Sequence, residues 1–199
     1  MPKLVLVRHG ETDWNVEGRF QGTADRPLNE NGLAQAERAG KLLKSAEFDH
    51  LHVSPLTRTQ QTAEAINKHH GLEMQTDDRL RELGFGDWEG FTWKEIEQQF
   101  PEHAAAFAQH IGNTPPSAES LPELEMRVQA FIDSLRHSDG THLIVSHGGT
   151  LKTMICLLLG LSALEHWQFN MGNCGITEIQ IYDQGAIVNY TNRSAEWSL

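Results

Sequence analysis

The stretch Leu4-Val5-Leu6-Val7-Arg8-His9-Gly10-Glu11-Thr12 runs from a short apolar segment straight into a basic pair and a glycine. An unbroken apolar run of this length reads as a strand buried on both faces, the kind found inside parallel sheets. An arginine and a histidine delivered together from the end of such a strand mark an anion site with a nucleophile or proton carrier inside it. Phosphate suits both groups, because arginine offers planar paired donors to its oxygens and imidazole can attack phosphorus.

Further strands are expected at Leu51 to Ser54, Leu72 to Gln75, Leu143 to Val145, Thr177 to Ile181 and Ala186 to Tyr190. The last two flank Asp183-Gln184-Gly185, a turn signal, and form a hairpin. Helices are expected from Asn29, with Leu33, Ala36, Gly40 and Leu43 on one face, and from Ser54-Pro55, where serine caps and proline opens the first turn. Thr92-Trp93-Lys94-Glu95 and Ser120-Leu121-Pro122-Glu123 have capping-box spacing, and a helix from Thr150 to Leu159 stops at Gly160. Strands alternating with helices give an α/β fold of three layers, a mostly parallel central sheet flanked by helices. No strand is visible from Gly84 to Glu119, a segment ending in Thr114-Pro115-Pro116-Ser117. It reads as a helical insertion over the sheet edge and the active site, within a single domain spanning 1–199.

Composition narrows the function. The 199 residues are 39% hydrophobic, enough for a real core, and the formal charge is -11. That charge repels nucleic acids and anionic membranes over most of the surface, so neither is an expected partner and any anion site is a local basic pocket. Cys156 and Cys174 lack metal-like spacing and read as reduced thiols of a cytoplasmic protein, with Cys156 packed in the core. No signal peptide is visible, and the longest apolar run is too short and interrupted to cross a bilayer.

His9 follows the first strand, Arg58 falls in the first turn of the helix after the second, and His147 follows the strand Leu143-Ile144-Val145. Parallel strands bring these points to one sheet edge, where open α/β folds bind ligands. Arg8 and Arg58 then offer bidentate donors to a phosphoryl group, and the N-termini of the helices near Pro55 and after Gly149 add backbone donors. Two arginines also hold neighbouring histidines neutral, the state an attacking nitrogen requires. His9 is the expected nucleophile, and His147 is expected to hydrogen-bond the transferring group. Glu82, in Leu80-Arg81-Glu82-Leu83-Gly84-Phe85-Gly86-Asp87-Trp88-Glu89-Gly90, is the expected proton donor, a role that partial desolvation would favour. Taken singly, each has a plainer reading: a structural histidine, a surface cation, a tight turn, a solvated acid. Only the joint pattern outweighs them.

The order and wording of these pieces resemble the histidine phosphatase superfamily, also called the cofactor-dependent phosphoglycerate mutase-like family. The likeness runs through Arg8-His9-Gly10-Glu11-Thr12, Trp14-Asn15, Gln21-Gly22 and Pro27-Leu28-Asn29. It continues through Ser54-Pro55-Leu56-Thr57-Arg58-Thr59, the Leu80 to Gly90 block, Glu119-Ser120-Leu121 and Ser146-His147-Gly148-Gly149. The resemblance implies a phosphoglycerate mutase-like fold with His9 as the phosphorylated nucleophile, Arg8, Arg58 and His147 as the phosphate pocket, and Glu82 as proton donor. Asn15, Gln21, Gly22 and Gly148 match positions that touch phosphate or substrate. No metal or organic cofactor is implied; His103 and His110 share a helix face but read as solvated.

Within that superfamily the Leu80 to Gly90 block is similar to the phosphatase branch, whereas mutases carry a basic, tyrosine-containing sequence after the equivalent acid. The expected activity is hydrolysis of a small-molecule phosphomonoester, with alpha-ribazole phosphate or a broad set of esters as the leading substrate. Phosphoglycerate mutase and metal-independent phosphoserine phosphatase are the alternatives, and a non-catalytic phosphate-binding module is the alternative of another class. Ser117-Ala118 before Glu119-Ser120, and Asn192-Arg193 near the end, depart from the pattern of phosphoserine phosphatases. Phe85, Trp88, Phe91, Trp93, Phe100 and Phe107 read as the core of the insertion more than as a stacking surface. The terminal hairpin leaves an edge strand on which a homodimer could pair.

Overall fold

The computed structural model describes residues 1–110, 112, 113, 115, 117–136 and 138–194. The opening apolar run is the strand β1 (Lys3–Arg8), and its two periodic faces explain its lack of polar residues. Leu4 and Leu6 face one core together with α6 (Leu121–Leu135) and α7 (Gly148–Leu158). Val5 and Val7 face a second core formed with α2 (Glu30–Leu43) and α3 (Thr57–Asn67). Each such side chain contributes roughly 1.5–3 kcal/mol by leaving water, so a polar substitution on either face would unseat a helix pair.

Six strands form one sheet in the order β3 (Met74–Thr76), β2 (His50–Val53), β4 (Thr141–Ser146), β1, β5 (Ile176–Tyr182), β6 (Gly185–Arg193). The first four are mutually parallel and the last two run antiparallel as a hairpin turning at Asp183-Gln184. The expected architecture is therefore present. Register decides where the chemistry falls: Arg8 lies opposite Ser146, and Val53 opposite Val145. β1, β2 and β4 thus end level, and the residues that follow them emerge along one edge.

Local details differ from expectation for identifiable reasons. The third strand starts at Met74, because Leu72 gives both backbone groups to the Asn67 side chain, at 2.9 and 2.8 Å. In α2, capped by Asn29 through the Gly32 amide at 2.8 Å, the buried face is Gly32, Ala36, Ala39, Gly40 and Leu43. Leu33 points outward, since the helix approaches the chain at Glu11 so closely that only a glycine fits at position 32. α3 begins at Thr57 with Leu56 at its cap position and no side-chain cap, so Ser54-Pro55 lies before the helix rather than in its first turn. α7 starts at Gly148, two residues before the expected Thr150. Both capping boxes form as read, at Thr92/Glu95 and Ser120/Glu123.

Between positions 84 and 119 the described residues form a 3-10 turn, α4 (Trp93–Gln99) and α5 (Pro101–Gln109); Thr114 and Pro116 lie outside them. The short α1 (Asp13–Val16) is capped by a Thr12/Asn15 box and leads into Phe20, which packs edge-on against Phe85 and Trp88. Trp88 is fully buried and Phe91, Trp93, Phe100 and Phe107 gather round it, so the aromatic set is the core of the insertion. Among the described residues no helix is long and apolar enough to cross a membrane.

Candidate active site

His9 is the first residue beyond β1, anchored by its amide on Ser146 O at 2.9 Å. Its ring is buried, and Nδ1 lies 2.7 Å from Gly10 O. A carbonyl can only accept, so Nδ1 carries the proton and the lone pair resides on Nε2. Gly10 is held in turn by its amide on Thr62 Oγ1 at 3.0 Å. Burial, then Arg58, then Arg8 hold the His9 ring well below the usual histidine pKa. The arginines act in the expected direction, but loss of hydration is the larger cause.

His147 stands edge-on to His9 with ring centres 5.2 Å apart. Arg58 Nε donates to its Nδ1 at 3.2 Å, and its Nε2 lies 2.8 Å from Ser54 Oγ. A guanidinium can only donate, so Nδ1 bears the lone pair and the Nε2 proton goes to Ser54. The buried Ser54 thus fixes a tautomer across the sheet instead of capping α3. Both ring nitrogens of His147, expected from sequence to bond a transferring group, are engaged by Arg58 and Ser54 in this structure. Arg58 also donates to Ala24 O and Gly22 O, each at 2.8 Å, which leaves two of its five N–H protons for a ligand. Burial lowers its pKa to about 10, so it stays charged at neutral pH.

Arg8 donates to Met171 O at 2.7 Å, while its Nε is buried without a partner. Gly148 sits beside that Nε, where even an added Cβ would come to 3.5 Å. Asn15 receives Thr12 N and Asn173 Nδ2 on its Oδ1, at 3.0 and 3.3 Å, so its amide NH2 remains as a donor. The buried Gln21 has an Oε1 with no partner at the pocket wall. Gly22 has φ +52, and a side chain there would collide with Glu89 Oε1, whose carboxylate ties Thr23, Ala24 and Phe85 together through their amides. These residues all converge as anticipated. The α3 N-terminus does not join them, since the Thr57 amide binds Asp25 at 2.7 Å.

Glu82 reaches the same pocket, but it takes the backbone donors expected for the substrate. Its Oε1 accepts from Leu83 N at 2.9 Å and Thr150 N at 3.2 Å, and its Oε2 from Gly149 N at 3.2 Å. The carboxylate therefore caps α7. Position 149 must be small, because a Cβ would lie 2.6 Å from Oε1. Arg127, unnoticed in the sequence, fixes this segment by donating to the carbonyls of Arg79, Arg81 and Glu82 and pairing with Glu119 at 2.6 Å. Asn173 was missed as well, and Asn192 was noted only as a departure from the pattern of phosphoserine phosphatases. Asn173 donates to His9 O at 3.2 Å, and Asn192 Oδ1 accepts from Gly172 N at 2.7 Å, bracing the loop that holds Arg8.

Arg8, His9, Asn15, Gln21, Arg58 and Glu82 line one cavity of about 240 Å³, with Phe20 and Phe85 on its rim. The result is a hollow walled by two buried arginines in a chain of charge -11. Among the described residues no group of three or more His, Cys, Asp or Glu side chains is placed to hold a metal ion. Both cysteines are buried and neither forms a disulfide among the described residues, and burial raises the Cys156 thiol to about 11, away from reactive thiolate.

Phosphoserine phosphatase 1 of Hydrogenobacter thermophilus is 32% identical over 191 residues, covering 94% of this chain and 90% of its own. The protein named "Probable phosphoglycerate mutase GpmB" of Yersinia pestis is 37% identical over 185 residues, covering 90% and 85%. The crystal structure of the alpha-ribazole phosphatase from Shigella flexneri superposes with a TM-score of 0.89 at 32% identity, covering 96% of both chains. The family profile of the histidine phosphatase superfamily (branch 1) matches residues 4–194, and the chain belongs to that superfamily.

Proposed function

We propose that this chain is a metal-independent phosphomonoester hydrolase that works through a phosphohistidine on a small phosphorylated metabolite. The observation that carries the reading is the unshared Nε2 lone pair of His9, inside a cavity walled by Arg8 and Arg58. The phosphoryl oxygens take the remaining N–H groups of both arginines and the Asn15 amide. Nε2 attacks phosphorus in line, the N–P bond forms, and the ester P–O bond breaks. The departing oxygen takes the proton of Glu82, whose Oε2 carries the fewer backbone bonds. Water then attacks phosphorus, gives its proton to Glu82 and displaces neutral His9 as inorganic phosphate forms. Such covalent division replaces one hard step by two easier ones.

The relatives are named for three different esters or activities. Alpha-ribazole phosphate or a broad set of esters is the reading the sequence layout favours. The likeness to a mutase keeps phosphoryl return as the second reading. Phosphate release from a panel of monoesters, run with a chelator and with His9→Ala alongside, tests the proposal. Release that survives chelation and vanishes in the variant supports it. Silence on every ester would point to a mutase or a phosphate-binding module.

A further inference from the structure

The buried cation Arg58 makes its hydrogen bonds to neutral groups. Its partners are Gly22 O and Ala24 O, each at 2.8 Å, and His147 Nδ1 at 3.2 Å, so among the described residues no carboxylate bonds it directly. A carboxylate stands one peptide farther away. Gly22 O and the Thr23 N–H belong to the same peptide group: Arg58 Nη2 donates to its oxygen, and its N–H donates to Glu89 Oε1 at 2.8 Å. Glu89 Oε2 accepts from Ala24 N at 3.0 Å, fixing the peptide between the two carbonyls that Arg58 uses. The Thr23 hydroxyl adds a bond to Oε1 at 3.1 Å, and Phe85 N another at 3.1 Å. Position 22 has φ +52 and would clash with this carboxylate if it carried a Cβ, so the close approach requires its glycine. On the other side of the loop Asp25 accepts from Thr57 N and Oγ1, both at 2.7 Å.

A buried arginine can be held by an anion in two ways, with opposite consequences for a ligand. A carboxylate bonded to the guanidinium itself would occupy its N–H groups and repel an incoming phosphate. A carboxylate acting through a peptide polarises the carbonyl on the far side, because hydrogen bonds in series strengthen one another, and it leaves the spare N–H groups of Arg58 open. We propose that Glu89 is a positioning residue for phosphate binding, holding the Arg58 guanidinium through the peptide between Gly22 and Thr23. The inference rests on the phosphatase reading and deepens it by giving the site a second carboxylate with a separate task. Glu82 serves the leaving group, so its loss is felt most where that group is strongly basic. Glu89 serves the phosphoryl group common to every ester, so its loss is felt equally by all of them.

Glu89→Gln keeps the shape of the side chain but turns an NH2 group toward one of the amides it now binds. It is expected to raise the Kd of inorganic phosphate by about tenfold, the scale of one hydrogen bond to a charged group. The loss in kcat/KM should be of similar size on p-nitrophenyl phosphate and on an alkyl phosphate. Glu89→Asp, which keeps the charge on a shorter arm, should recover part of the affinity. In an Arg58→Lys background the Glu89→Gln change should alter phosphate affinity by no more than about twofold, since no guanidinium remains to be oriented. Glu95→Gln loosens the other tie of the insertion, to Arg19 at 2.8 Å, and should leave phosphate affinity within about twofold. The shift of the urea midpoint with added phosphate reads affinity for the folded state in every variant, whatever its own stability. If Glu89→Gln does not fold, Glu89→Asp carries the same comparison. Unchanged phosphate affinity in the Glu89 variants would overturn the proposal, as would full additivity with Arg58→Lys or an equal loss in Glu95→Gln. An unmodified chain that binds phosphate but hydrolyses no ester would instead sink the phosphatase reading, and the affinity comparison would still decide the role of Glu89.

Discussion

Two groups of histidines sit on the same sheet, and they differ in what their polar atoms meet. His9 and His147 stand beyond the ends of β1 and β4, whereas His50, His52 and His142 lie within β2 and β4 against α6. In the second group His50 stacks on His142 at 4.5 Å, His52 Nε2 lies 3.0 Å from His142 Nδ1, and His142 Nε2 lies 2.9 Å from Ser138 Oγ. Burial and the neighbouring rings lower His52 and His142 to about 4. A depressed histidine is thus common to both groups and marks neither as catalytic. What separates them is the fate of lone pairs and cations. The His9 Nε2 is open toward unspent arginine donors, while the second group closes into a hydrogen-bonded chain and its nearest arginine, Arg79, is paired with Asp77 at 2.6 Å.

The contrast is broken most severely by exchanging nucleophiles. His9→Ala should lower kcat/KM by about 10³-fold or more and abolish acid-labile phosphate on the protein, read by ³¹P NMR after quenching. His52→Gln should leave turnover within about twofold if the second group is only structural. An equal loss in both would erase the distinction. Next in size is Glu82→Gln, expected to lower kcat by roughly 10²–10³-fold on an alkyl phosphate and much less on p-nitrophenyl phosphate, whose leaving group needs no proton. Uniform loss across leaving groups would remove Glu82 from the proton-transfer role.

The second group should show itself in stability. His52 and His142 bind protons near 4 in the folded chain and near 6.5, the ordinary histidine value, when unfolded. The unfolded state therefore holds more protons between those values, and stability is complete above pH 6.5 and falls as pH drops toward 4. Discounted for solvent screening, the loss at pH 5 should be on the order of 1–2 kcal/mol from this group. Urea unfolding at pH 7 and pH 5 measures it, and a His52→Gln/His142→Gln double variant should flatten the difference. An unchanged slope would mean that these rings do not govern acid stability. The smallest effect is expected from Asn192→Ala, which frees the loop bracing Arg8: a several-fold rise in KM at nearly unchanged unfolding midpoint. A large stability loss instead would make Asn192 a residue of the hairpin rather than of the site.

Much of the fold and the phosphate end of the site was legible in the chain itself. The apolar runs, the capping boxes at Thr92 and Ser120, the hairpin turn and the strand-end positions of His9 and His147 all depend on neighbours a few residues away. Parallel register then brings His9, Arg58 and His147 together with little freedom. The role of each polar atom was not legible, because its partner is distant along the chain. Ser54 looked like a helix cap and instead holds a ring 93 positions away, and the α7 amides assigned to substrate bind Glu82, 67 positions from Gly149. Arg127 and Asn173 carried no local signal at all. Sequence determined which groups reach the sheet edge, since periodicity and turn chemistry are short-range. Only the tertiary structure decided which donors and lone pairs remain open there, since a hydrogen bond made across the fold removes a group from the reaction, however suggestive its motif.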